Sequence, residues 1–227
     1  MKTPFQSLLA GDPEDLHRWL IRPGNRSIVL CVLVAFLGSG LYGFTVGLWR
    51  APLQAFYTAL KFPLLIALTC AGNALLNGML AQLLGSGLSF RQTSRAILMS
   101  FALTGLILGA LAPVSLFVFY NTPPLQSHAT GYSVTLLTHV SFIAGAGVMA
   151  NRRLFGLLKK VSPNQVVAGR VLLCWLAGNF LLGSQLAWVL RPFIGSPGLK
   201  IELLRPDPLR GNFYEAVWQA VRHVLSA

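Results

Sequence analysis

The sequence predicts an all-α fold, a polytopic membrane helical bundle, and three observations predict it. No aspartate or glutamate occurs between Asp15 and Glu202, a run of 186 residues. At ordinary composition about twenty acids would fall in such a run. Long apolar stretches recur through it, and 54% of the chain is hydrophobic against 11% charged, with a mean hydropathy of +0.63. The basic residues sit in short clusters between those stretches, where cations set topology and meet lipid head groups. A soluble surface mixes both signs of charge. A net charge of +12 on such a scaffold therefore reads as membrane topology and excludes nucleic-acid binding, which needs a basic face on a water-soluble domain.

Five spans are expected, at about 27–48, 62–84, 97–120, 131–150 and 167–190, each near the ~20 residues that cross a hydrocarbon core. Backbone groups in lipid must be satisfied within the segment, so the spans are helices. With the N-terminus inside, eleven basic residues fall on the cytoplasmic side and seven on the other. The positive-inside bias thus puts residues 1–26 in the cytoplasm and the tail, 191–227, outside. The N-terminus carries three acids and no continuous apolar stretch, so it is not a cleavable signal, and the first span is expected to direct insertion. No internal repeat or low-complexity segment is found.

Ahead of the spans, Asp12-Pro13-Glu14-Asp15 marks a helix start: a capping aspartate, proline at the first position and acids at the positive dipole end. Leu16, Trp19 and Leu20 follow as an apolar strip, so this helix is expected to lie on the membrane. Two more interfacial amphipathic helices are expected at 49–61, with Phe56, Tyr57 and Leu60 near one face, and at 151–161. The stretch 191–208 holds prolines and glycines and reads as an ordered loop. A terminal amphipathic helix over 212–225 carries Phe213, Val217, Val221 and Val224 on one stripe.

Within the second span Asn73 and Asn77 share a face with Cys70, Ala74, Gly78 and Ala81. Such a face belongs against other helices. It is either interhelical hydrogen bonding, the simpler reading, or a polar seam used by a substrate. His139 lies near mid-membrane in the fourth span with Thr135 and Tyr132 on its strip, and His128 lies just outside. An ionisable group at that depth raises a functional hypothesis, although no carboxylate is there to relay a proton. Gln185 and Arg170 fall on one face of the fifth span, and Arg170 snorkels to the head groups. Pairs of small residues four apart recur at Gly43/Gly47, Gly105/Gly109, Ser141/Gly145 and Cys174/Gly178, and Pro113 is expected to kink the third span. The basic residues Arg91, Arg95, Arg152, Arg153, Lys159 and Lys160 either fix topology or hold anionic lipid.

No HExxH, GxSxG, P-loop or acid pair occurs, so no catalytic residue, cofactor or metal site is expected and the chain is not read as an enzyme. Cys31, Cys70 and Cys174 fall inside spans without CxxC spacing and read as small packing residues. What remains is a non-catalytic adaptor or assembly subunit that binds membrane lipids, other membrane proteins or a second copy of itself. Phe213, Val217, Trp218 and Val221 are then the docking candidates. The alternatives are a transporter or channel component in which Asn73, Asn77, His139 and Gln185 converge on an aqueous cavity, and a lipid-handling protein with a basic lateral cleft.

The stretches YGFTVGLWRAPLQAFYTALKFPLLIALT (42–69) and LLGSGLSFRQTSRAILMSFA (83–102) resemble bacterial members of the Yip family of five-helix membrane proteins. Tyr42-Gly43, Gly47, Ala59-Leu60-Lys61-x-Pro63 and Phe90-Arg91-Gln92 carry the resemblance, which covers about 22–190. It implies an α-helical bundle without known catalysis in a bacterial inner membrane. The acidic DLYGP-like motif of eukaryotic relatives, which are associated with Rab GTPases and vesicle membranes, has no counterpart here. The tail lies beyond the resemblance.

Overall fold

A computed structural model describes residues 3–22, 24–122, 129–195 and 199–226. Those residues form eight helices: α1 Pro4–Ala10, α2 Pro13–Ile21, α3 Asn25–Leu48, α4 Pro52–Leu83, α5 Phe90–Asn121, α6 Ala129–Val161, α7 Gln165–Val189 and α8 Phe213–Leu225. The fold is all-α, and α3 to α7 are long and apolar enough to cross a membrane. Their flanks expose Leu37, Leu60, Leu75, Phe117 and Leu173, an apolar girdle of a size that water-soluble monomers do not present.

α3 is the central helix, with α4 and α5 packed closely on it; α7 lies on α4, and α6 on α5. Glycine permits these crossings. A Cβ on Gly105 would stand 2.7 Å from the Ala35 Cα, and one on Gly47 would stand 2.6 Å from the Ala55 Cα. Gly109 packs on Gly38, and Gly43 on the Thr58 carbonyl. The Gly43/Gly47 and Gly105/Gly109 pairs thus make the two tightest backbone contacts of the bundle, as small residues do between membrane helices. Gly145, by contrast, has open space beside it.

Two of the expected interfacial helices do not exist as separate elements. Residues 52–61 are the first three turns of α4, and 151–161 are the last three turns of α6. At 32 and 33 residues these helices are about 48 Å long, well beyond a hydrocarbon core of ~30 Å. Lys61 and Pro63 look like a boundary in sequence, but the helix runs through both. Gly40 on α3 faces the Ala59 carbonyl that Pro63 leaves without its helical donor, and it leaves room for the proline ring. α5 likewise continues through Pro113 to Asn121.

The third expected interfacial helix does form, as α2, but it does not lie on the membrane. Leu16 and Leu20 are fully buried among Leu154, Leu157 and Leu158 of α6 and Leu103 of α5. Asp12 caps it by accepting from the Glu14 amide at 3.0 Å. α1 was not foreseen. Thr3 and Gln6 close a reciprocal capping box around Pro4, and Gly11 ends the helix at φ 59°, a conformation that glycine adopts without strain. α1 and α2 occupy one end of the bundle, the arm end; α8 and the tail occupy the other.

Candidate functional site

Beyond α7 the chain turns back over the tail end as a strap, residues 191–195, and α4 holds it. Gln54, Thr58 and Lys61 recur at helical spacing on one face of α4, and all three are buried. The Gln54 amide donates to the carbonyls of Pro192 at 2.9 Å and Phe193 at 3.0 Å. The Thr58 hydroxyl donates to the Phe193 carbonyl at 2.7 Å, and the Lys61 ammonium to that of Pro192 at 2.7 Å. A strap carries carbonyls with no helical partner, and these three donors satisfy them. The opposite face of this stretch, Phe56 and Leu60, is exposed. The helix is therefore inside-out relative to the interfacial reading: the polar face points in and the apolar face points to lipid.

An aromatic chain runs inward from the strap. Phe193 meets Phe62 edge-on at 5.2 Å, and Phe62 meets Tyr42 at 5.5 Å. The Tyr42 hydroxyl and His139 Nδ1 share a hydrogen bond of 2.8 Å between α3 and α6. His139 is thus a buried, hydrogen-bonded packing group.

Arg191 organises the rest of the tail. Its guanidinium stacks on Trp188 at 4.0 Å and donates to the carbonyls of Trp188, Asp207, Pro208 and Arg210 at 2.8–3.1 Å. Partial burial lowers its pKa from the usual arginine value, as does the repulsion of Arg205, while Asp207 opposes the shift. Trp188 Nε1 donates to the Arg210 carbonyl at 3.0 Å, and the hydroxyls of Tyr214 and Ser184 pair at 2.7 Å. These bonds seat the start of α8 on α7, while the length of α8 packs on α6 with Ala220 buried.

Strap, α6, α7 and α8 together line a half-open cavity of about 710 Å³, within the range of small-molecule sites. Its apolar walls are Leu136, Trp188, Phe193, Ile194, Phe213 and Val217. Three arginines, Arg191, Arg205 and Arg210, line it with His223 beside them and a single carboxylate, Asp207. Arg205 gives Nη1 to Glu202 at 3.3 Å, and its Nη2 is buried without a hydrogen-bond partner.

None of the intramembrane polar candidates lines this cavity. Asn73 and Asn77 are buried at the α4–α7 contact, where Asn73 donates to the Thr69 carbonyl and Asn77 to Asn73 Oδ1, each at 2.9 Å. Gly178 of α7 packs directly on the two amides. Gln185 is exposed. Of the four residues expected to converge for transport, Asn73 and Asn77 bond to each other, while His139 pairs with Tyr42 and Gln185 stands exposed. His128 lies outside the described residues.

The basic candidates divide as well. Arg95 donates to the Leu20 carbonyl at 3.0 Å, Arg153 donates to the Ala10 carbonyl, and Lys160 pairs with Glu14. Arg153 and Arg95 thus meet the C-terminal ends of α1 and α2, where the helix dipole favours cations. Lys159 covers the Phe155 ring at 4.4 Å, and Arg91 and Arg152 are exposed. Half of the cluster read as a lipid site is a clasp for the N-terminal arm. Of the docking candidates, Phe213 and Val217 face the cavity, Val221 is half-buried, and Trp218 alone is fully exposed to the outside.

The residues that sequence reasoning missed are the strap holders Gln54, Thr58 and Lys61 and the cavity arginines. The holders had a signal, polar groups at i, i+4 and i+7, which Phe56 and Leu60 on the other face obscured. Comparison with known proteins finds no family model, no curated protein and no solved structure that matches this chain.

Proposed function

We propose that this protein is a non-catalytic integral membrane subunit that works by binding, and that its ligand is lipid. The observation that carries the reading is the cavity at the tail end. It is amphipathic, it is formed by the ends of two spans and an amphipathic helix, and it lies where the hydrocarbon core gives way to head groups. The aqueous seam that a transport reading needs has no support in the placement of Asn73, Asn77, His139 and Gln185. The distribution of lysine and arginine supports a cytoplasmic arm end and an extracytoplasmic tail end. A bacterial inner membrane and a distant Yip-like relationship belong to the same proposal, supported by the five-span bundle and the quoted motifs.

The test is lipid retention by the full chain purified in mild detergent, read by native mass spectrometry and lipid extraction. The expected result is about one lipid per chain that resists delipidation, and its loss in Ala216→Trp, which fills the cavity from α8. A chain that retains no lipid, or a filled variant that retains as much as the parent, would overturn the reading.

A further inference from the structure

The charged side of the cavity is more selective than the need for a lipid alone requires. Three arginines and His223 line it against Asp207. The backbone carbonyls around Arg191 satisfy its donors but leave its charge in place. Arg205 carries a buried Nη2 with no partner, a group that costs free energy until an acceptor arrives. Arg210 and His223 are exposed at the same wall and are free to move toward an anion.

A zwitterionic head group fits poorly. A quaternary ammonium is held by aromatic faces or carboxylates; here Arg191 covers the Trp188 face, Lys61 stands over Phe193 at 5.8 Å, and three arginines in the lining would repel a further cation. The only carboxylate in the lining stands beside Arg191. Planar guanidinium groups, in contrast, match phosphate oxygens in pairs. The apolar remainder of the cavity suits the glycerol and upper acyl carbons. The cavity is open at its mouth, so acyl chains longer than its apolar walls can leave it there.

We propose that the cavity is a selective site for a phospholipid of net negative charge, with its phosphate on Arg205 and Arg210 and its upper acyl carbons on the apolar walls. This rests on the lipid reading above and adds the class of head group.

The experiment exchanges the purified full chain into mixed micelles with equal phosphatidylglycerol and phosphatidylcholine and measures the lipid retained after desalting. Phosphatidylglycerol is expected to be enriched about tenfold, the scale that one or two cations at a surface contribute. Arg210→Gln, whose exposed side chain carries no part of the fold, and Arg205→Gln are each expected to bring the ratio near parity while total lipid is kept. Arg222→Gln, on α8 outside the cavity, is expected to leave the ratio unchanged. Equal retention of both lipids by the parent would overturn the head-group assignment and leave the lipid reading standing; no retained lipid would overturn both. Displacement of phosphatidylglycerol by millimolar inorganic phosphate, without detergent-accessible acyl chains in the complex, would make the site one for free phosphate and overturn the lipid assignment.

Discussion

The two ends of this bundle solve one problem in different ways. Each has basic side chains that need partners in a chain with six acids, and each uses backbone carbonyls in place of carboxylates. At the arm end the carbonyls belong to the ends of two short helices, and the space between elements is filled by leucines. A crevice there, beside Trp19, Ser27 and Cys31, holds about 20 Å³. At the tail end most of the carbonyls belong to irregular backbone, the strap and the loop 207–210, which cannot fill the space beneath it, and about 710 Å³ remain. Helices bring side chains on every turn to fill a gap; a proline-rich loop brings few. Carbonyls satisfy donors without cancelling charge, so the hollow at the tail end keeps a cationic lining.

That contrast predicts unequal responses to mutation. The largest effect is expected from Leu158→Ala at the arm end, where the side chain is fully buried. The cavity left behind should cost about 2–5 kcal/mol, read as a lowered unfolding midpoint in detergent, whereas Val217→Ala beside the existing cavity should cost less than about 1 kcal/mol. Equal losses would break the comparison.

Next is Gln54→Leu, which removes two donors from the strap. The carbonyls of Pro192 and Phe193 keep Lys61 and Thr58 as donors, so the loss should be about 0.5–1.5 kcal/mol, the net worth of ordinary hydrogen bonds, and the expected readout is faster proteolysis within the tail with no change at the arm. Arg95→Gln is the counterpart at the other end. It removes a donor from the C-terminal end of α2 and should raise hydrogen exchange across that helix by an amount corresponding to roughly 1 kcal/mol. The smallest effect is expected from Glu14→Gln, whose ion pair with Lys160 is exposed; surface pairs contribute about 0–1 kcal/mol. Salt should mimic this last substitution and leave the strap protected, since its bonds are buried and involve a single charged donor, Lys61.

Much of the fold was legible because its signals are local. Asp12 announces a helix start and accepts the Glu14 amide, and Asn212, the first residue of the expected terminal helix, caps it by accepting from the Glu215 amide. The stripe Phe213, Val217, Val221 and Val224 lies on α8 as read. The errors share a cause. The segments 49–61 and 151–161 are amphipathic whether they lie on a membrane or extend a span, and periodicity alone does not say which face meets the interior. Leu16 and Leu20 show the same ambiguity, since a strip that would suit a lipid surface suits the leucines of α6 equally well.

The sequence by itself determined the solvent, the element type and the number of spans, because an apolar run without acids has only one economical conformation in lipid. It also marked Gly43/Gly47 and Gly105/Gly109 as places where helices touch, though Gly145 meets nothing. Tertiary structure alone decided what the polar groups do. Arg95, Arg153 and Lys160 clasp an arm; Gln54, Thr58 and Lys61 hold a strap; Arg191, Arg205 and Arg210, scattered through a tail with no periodic signal, come to line one cavity. The partners of these groups are carbonyls, which every residue carries, and composition cannot mark which of them a fold will leave exposed.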